Sequence, residues 1–338
     1  MIDTPVHFGI LGCGVIAGFH GDALAGLKDA QLVGVADALP EAAKSFAWER
    51  GVTAYPDFSA MLADPQIDAV CICTPSGFHY SNALQALQAG KHVVLEKPMA
   101  FTTEQAAELE SAARDSGCLL TVVSQLRFSE DIRRVKTLLE QNAFGQLVLC
   151  DLYMKYWRAP EYYAASSWRG TRRFDGGGAL MNQGIHGVDI LLYLAGPAKV
   201  LCAKNRTRHH SIEVEDVSVA MLEFENGAMG VIEATTCANP GFSRRVEIIG
   251  TEGSVILTEN RIEKLVIGGK ALENNQDGAQ ISTASDPTAM DCHLHRMQLA
   301  NFISALQRGE DLTVTAADGR RAVALIEEIY GFPRQQAL

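Results

Sequence analysis

Through residue 124 the chain alternates between short apolar runs, many of them β-branched, and stretches whose apolar residues recur at helical spacing. The runs at 6–11, 32–36, 53–55, 69–73, 93–95 and 118–124 read as six strands of a buried parallel sheet. Helices are expected over 19–27, 42–48, 57–61, 79–89 and 102–116, with Asp57 as a cap and Thr102 with Gln105 as a capping box. Strand and helix in regular alternation predict a doubly wound sheet.

Past Leu126 the period changes. A helix over 131–140 ends before Gly145, and a strand follows over 147–156. Beyond position 200 the pattern becomes that of an antiparallel sheet, with strands at 217–224, 229–235, 246–249, 254–257 and 262–267. Asn226-Gly227, between the first two, is the strongest short hairpin signal in the chain. Residues 268–288 are polar and are expected to form a mobile loop. Two helices, 290–307 and 316–330, close the chain, the second opened by a Thr315 to Asp318 capping box. The expected fold class is α/β: a doubly wound parallel sheet in a domain over 1–124, then an α/β domain over 125–338 with a large, mainly antiparallel sheet. One face of that second sheet packs on helices. Alternating Val, Met and Leu on the other face predict a homo-oligomer.

Composition narrows the function. Of 338 residues 47% are hydrophobic, and the net charge of −11 comes without a basic tail, which argues against a nucleic-acid partner. The eight cysteines show no C-x-x-C spacing and read as reduced thiols of a cytoplasmic protein. The amino end has neither a basic segment nor a long apolar core, so no secretory signal and no membrane span are expected.

The candidate chemistry sits at strand ends. Gly12-Cys-Gly14-Val15-Ile16-Ala17 joins the first strand to the first helix: Gly12 permits a tight turn, Gly14 lets backbone approach a pyrophosphate, and Ala17 allows close helix packing. Asp37 closes the second strand 25 residues after Gly12, near the usual ribose-binding offset of about 20. Its carboxylate would bind ribose hydroxyls and repel a 2′-phosphate, so NAD is expected over NADP; the competing reading is a cap for the helix near Pro40. Thr74-Pro75 and His79 follow the fourth strand, where they either line the nicotinamide end of the cofactor or merely open a helix. Glu96-Lys97-Pro98 follows the fifth, which places a long cation where ligands collect.

Asp175-Gly-Gly-Gly leads into a helix on which Asn182, His186, Asp189 and Tyr193 recur at spacings of four, three and four. That stripe is either a solvated face or a proton-transfer site built on His186. Arg127 and the segment holding Tyr156, Arg158, Trp168 and Arg169 fit a sugar face with an anionic group, or a surface loop with an aromatic anchor. Cys292, His293 and His295 do not share a helix face, so no metal is expected.

Taken together, Gly12-x-Gly14-x-x-Ala17, Thr74-Pro75 with His79, Glu96-Lys97-Pro98 and Gly176-Gly-Gly-Ala-Leu-x-x-x-Gly184-x-His186-x-x-Asp189 resemble the Gfo/Idh/MocA family of dinucleotide-dependent oxidoreductases over nearly the whole chain. The resemblance implies a Rossmann domain, a cis bond before Pro98, homodimers or homotetramers, and hydride transfer between nicotinamide and a hydroxyl carbon of a sugar, sugar acid, cyclitol or sugar nucleotide. It assigns Lys97 the role of cation at the reacting hydroxyl and His186 that of proton acceptor, the two meeting beside the nicotinamide. Asn182 departs from the aspartate the family often carries there; an amide orients a hydroxyl but takes no proton. Two other activities stay open, an NAD-assisted glycosidase and a dinucleotide-dependent sensor without turnover.

Overall fold

The computed structural model describes residues 5–272, 284 and 292–332. The chain divides into two compact units, Met1–Gln125 with Asp291–Arg320, and Leu126–Met290 with Arg321–Leu338. From residue 273 the expected loop over 268–288 lies outside the described residues, Ala284 excepted.

In the first unit the strands are β1 (Val6–Leu11), β2 (Ala30–Ala36), β3 (Thr53–Ala54), β4 (Ala69–Ile72), β5 (His92–Leu95) and β6 (Leu120–Val122). They form one parallel sheet in the order β3-β2-β1-β4-β5-β6. Because all six run the same way, Gly12, Asp37, Thr74 and Glu96 gather at one carboxyl edge, on either side of the point between β1 and β4 where the order reverses. Local signals set the helix starts. Asp57 accepts from Ala60 N at 2.8 Å, and Thr102 accepts from Gln105 N at 3.2 Å. Gln105 reaches back one residue further than the usual box, to Phe101 N at 3.3 Å. The helix His293–Arg308, expected in the second domain, packs here: it buries Leu299, Phe302, Ile303 and Leu306 among Phe8, Ile10 and Val35. That apolar face is why 291–320 joins the first unit rather than continuing a domain over 125–338.

In the second unit β7 (Leu147–Trp157), β8 (Ala198–Arg206), β9 (Val217–Phe224), β10 (Met229–Thr235), β11 (Cys237–Gly250), β12 (Gly253–Thr258), β13 (Arg261–Ile267) and β14 (Lys270–Ala271) make a sheet ordered β14-β13-β12-β11-β7-β10-β9-β8. Only the β7 and β10 pair is parallel. Gly227, at φ +87°, closes the expected hairpin. Strand β8 was not expected, and β11 begins well before 246. Leu152, Met154, Leu222, Phe224, Val246 and Ile248 pack on the helix Ile185–Ala195 and on Leu325, Ile326 and Ile329. The opposite face leaves Leu149, Val219, Met221 and Met229 each 45% exposed.

Candidate functional site

The glycine turn after β1 has the form a dinucleotide needs. Gly12 sits at φ +89°, and a Cβ there would lie 2.7 Å from Cys73 O, so no other residue fits without moving the backbone. A Cβ at Gly14 would meet nothing within 4 Å, which leaves that side of the turn open. The helix Val15–Ala25 starts there with no side-chain cap and no acid in its first turn, so its amino-end donors and its dipole suit an anion. Ala17 is fully buried against the sheet. Asp37 accepts from Cys13 N at 2.7 Å through one oxygen and from Leu39 N at 2.8 Å through the other. It thereby ties β2 to the glycine turn, with one lone pair per oxygen left for vicinal hydroxyls. It does not cap the next helix, whose N-cap is Leu39 with no side-chain bond.

His79 is buried, its Nδ1 2.7 Å from Pro98 O and its Nε2 2.8 Å from Thr74 O. Burial pulls its pKa down. The ring straps the turn after β4 to the turn after β5, and its nitrogens face backbone carbonyls rather than an open cleft. Pro98 follows a cis bond.

Glu96 is 5% exposed, yet it is held as a carboxylate. Its Oε1 lies 2.9 Å from His20 Nε2, and its Oε2 accepts from Lys97 N at 3.2 Å. Burial works against the charge, but the His20 hydrogen bond and charge, with His295 and Lys97 behind them, bring Glu96 down to about 2. His20 moves the other way: burial opposes its charge, and Cys73, Cys71 and Glu96 outweigh it, so its pKa rises well above the ordinary value. Cys73, itself pushed up to about 11, is a neutral thiol near pH 7, so Glu96 is the charged partner that matters. Nothing in local spacing links His20 to Glu96. The available signal was one histidine in the otherwise small and apolar stripe Ala17, His20, Leu24.

In the second unit the polar stripe is rearranged. Residues Ala179–Gly184 form a π-helical turn that continues into the helix Ile185–Ala195. Asn182 Nδ2 donates to Asp175 Oδ1 across a short contact, and the other oxygen of Asp175 accepts from Gly170 N at 2.8 Å. Gln183 Nε2 donates to Asn182 Oδ1 at 3.1 Å and to Tyr162 OH at 3.0 Å. His186 is half-buried on the first turn of the helix. Asp189 does not continue a solvated stripe. It is buried, and Arg127 grips it with Nε at 2.9 Å and Nη2 at 2.6 Å.

Three residues expected against substrate are thus core residues. Arg127 pairs with Asp189, Arg158 donates to Gln183 Oε1 at 2.7 Å and to Ala284 O at 3.0 Å, and Tyr156 lies under the Arg158 guanidinium. Burying arginines demands such partners, which chain spacing does not reveal. Trp168 and Arg169 keep accessible surface. The Arg169 guanidinium stacks over Tyr162 at 4.3 Å and lies 5.5 Å from the Trp168 ring; its Nε has no partner among the described residues. A cavity of about 560 Å³, lined by Arg172, Gly176, Gly177, Lys204, Arg206 and Tyr330 among others, opens in the same unit, and neither Asn182, His186 nor Arg169 lines it.

Two clusters among the described residues bring three ligand-type atoms within 4.8 Å: His20, Glu96 and His295, and His210, Asp216 and Cys237. The carboxylate of Asp216 already accepts three backbone N–H groups, at 2.7, 2.8 and 2.9 Å.

Comparison with known proteins agrees with this architecture. A family model described as an oxidoreductase family with an NAD-binding Rossmann fold matches residues 6–124, and the GFO/IDH/MocA C-terminal domain matches 132–256. The WlbA dehydrogenase from Bordetella pertussis, solved with NADH and UDP-GlcNAcA, is 34% identical, superimposes with a TM-score of 0.88, and the match covers 98% of this chain and 96% of that one. D-glucoside 3-dehydrogenase of Escherichia coli is 30% identical over 71% of this chain and 72% of its own length. Inositol 2-dehydrogenase of Rhizobium meliloti is 27% identical over 95% of each. The chain belongs to the Gfo/Idh/MocA family of oxidoreductases with an NAD-binding Rossmann fold.

Proposed function

We propose that the protein oxidises a ring hydroxyl of an acidic, nucleotide-linked sugar, with NAD as the hydride acceptor. Arg169 carries this reading: a part-exposed guanidinium, stacked over Tyr162 and near Trp168 and anchored by Nη1 to Tyr162 O at 3.1 Å, suits a carboxylate or diphosphate beside a sugar face. UDP-GlcNAcA, held by the WlbA dehydrogenase, has both groups. Asp37 favours NAD because a 2′-phosphate would meet its carboxylate, and Ala38-Leu39-Pro40 offers no cation in compensation.

When bound, the nicotinamide accepts the hydride. His186 takes the hydroxyl proton, Lys97 stabilises the developing alkoxide, and Asn182, fixed by Asp175 and Gln183, orients the substrate. Lys97→Ala lowers kcat by about a thousandfold while NAD affinity stays within a factor of about two; an unchanged kcat rejects the assignment. The substrate class is tested by following reduced nicotinamide with NAD or NADP against UDP-GlcNAcA, UDP-GlcNAc, free sugar acids and inositols. UDP-GlcNAcA with NAD gives the highest kcat/KM, and an inositol that matches it overturns the reading.

The same proposal includes a homodimer or homotetramer built on the open sheet face, where Met229 pairs with Leu149 and Val231 with Met221 in register. It places the enzyme in the cytoplasm, where its eight free cysteines stay reduced. Light scattering that returns a monomer would remove the assembly.

A further inference from the structure

The π-helical turn that carries Asn182 begins on a clamp made by two residues from other elements. Gly178 N donates to Glu215 Oε2 at 2.9 Å, Ala179 N to the backbone oxygen of Glu215 at 2.9 Å, and Leu180 N to Glu215 Oε1 at 2.9 Å. Met181 N donates to Tyr330 OH at 3.1 Å, and that hydroxyl donates in turn to Glu215 Oε1 at 2.7 Å. Four successive donors, which a helix start ordinarily leaves to water or to a single cap, are all taken. The next donor, Asn182 N, bonds back to Gly178 O at 3.1 Å. The glycines are needed for this approach: a Cβ on Gly178 would lie 1.8 Å from Glu215 O, and one on Gly177 would lie 2.4 Å from Tyr330 OH.

A strand-end residue is placed by its own backbone neighbours, whereas a helical residue inherits the phase of the first turn. A π-helical turn is wider than an α-helical one, and its conversion into the helix Ile185–Ala195 needs a fixed origin. We infer that Glu215 and Tyr330 are positioning residues for the reaction: by holding the four opening donors, they set the phase from which Asn182 and His186 project. This rests on the proposed roles of Asn182 and His186.

The test uses Tyr330→Phe, which removes one oxygen and keeps the ring, and Glu215→Gln, which puts an amide N–H where one of the backbone donors needs an acceptor. Each lowers kcat by roughly ten- to a hundredfold, the scale of a small misplacement of reacting groups, with NAD affinity within about twofold. The substrate deuterium isotope effect on kcat rises, because the transfer step itself is slowed; a smaller folded fraction would leave it unchanged. In a His186→Ala background Tyr330→Phe costs clearly less than it does alone, since one of the two groups it positions is gone. His186→Ala alone reports on the underlying reading: if it keeps its turnover, the role of His186 fails first. With His186 upheld, the inference is overturned by an unchanged kcat or isotope effect in Tyr330→Phe, or by its full loss on top of His186→Ala. It is also overturned if neither variant yields a folded, NAD-binding protein, since the clamp would then serve stability alone.

Discussion

Two buried carboxylates stand behind the side chains proposed for the chemistry, and they are partnered in opposite ways. Glu96, next to Lys97, faces the His20 ring at 2.9 Å. Asp175, bonded to Asn182, faces an amide and the backbone N–H of Gly170. In the first unit a charge is held by a charge, so the arrangement depends on the protonation of both partners. In the second, the donors described at the carboxylate, an amide and a backbone N–H, are neutral. A buried pair of ions is also the more vulnerable device, because removing either leaves the other stranded in a low-dielectric site.

The largest expected effect follows from that vulnerability. His20→Ala strands Glu96 and destabilises the first unit by about 3–5 kcal/mol, as when one member of a buried pair is removed. The pH dependence sharpens it. Glu96, depressed from 4.5 to about 2, contributes stability that is complete above 4.5 and is lost as the pH falls toward 2. His20, raised above 6.5, contributes stability that is complete below 6.5 and is lost as the pH rises through its folded value. The contribution of this pair is therefore level between pH 5 and 6.5. In His20→Ala the stranded carboxylate gains by protonation, so the urea midpoint rises from pH 7 to pH 5. A variant with a level midpoint would mean that His295 and Lys97 hold Glu96 without His20.

A smaller loss is expected where neutral donors do the holding. Asp175→Asn keeps one acceptor oxygen and replaces the other with a donor, so either Gly170 N or the Asn182 amide loses its partner, at about 1–3 kcal/mol. Unlike His20→Ala, the shift in urea midpoint is the same at pH 5 and pH 7. A pH-dependent shift would show that Asp175 has a titrating partner after all.

This contrast also explains what the chain discloses in advance. All six strands of the parallel sheet are legible because each is a local apolar run closed by its own turn, and Gly12, Asp37 and Glu96 are legible because strand ends carry them. The His20 and Glu96 pair is not, since its members are 76 residues apart and neither belongs to a spacing motif. Arg127 and Arg158 looked like ligand contacts because an arginine in sequence does not show its buried partner. Strand β8 was missed because Lys, Asn and Arg interrupt its alternation, and the π-helical turn because it differs from an α-helix by backbone bonding that side-chain periodicity does not encode. The helix His293–Arg308 has a readable period, but which sheet it covers depends on packing between distant segments.

The smallest effect, and the most discriminating, comes from restoring at position 182 the aspartate the family often carries. In Asn182→Asp two carboxylates would face each other where Asn182 Nδ2 now meets Asp175 Oδ1. Like charges at hydrogen-bond distance do not both ionise, so the pair keeps one proton at low pH and that proton replaces the amide donor. Gln183 Nε2 still has an oxygen at position 182 to donate to. At pH 6 the variant therefore keeps kcat within about threefold of wild type, and as the pH rises to 9 the shared proton leaves, repulsion parts the side chains, and kcat falls by a further tenfold or so. The ratio of variant to wild-type kcat across that range is the quantity to measure. A constant ratio would mean that Asp175 does not hold residue 182 in solution, and a ratio above one at every pH would mean that a second charge helps the reaction and that neutral partnering in the second unit is incidental.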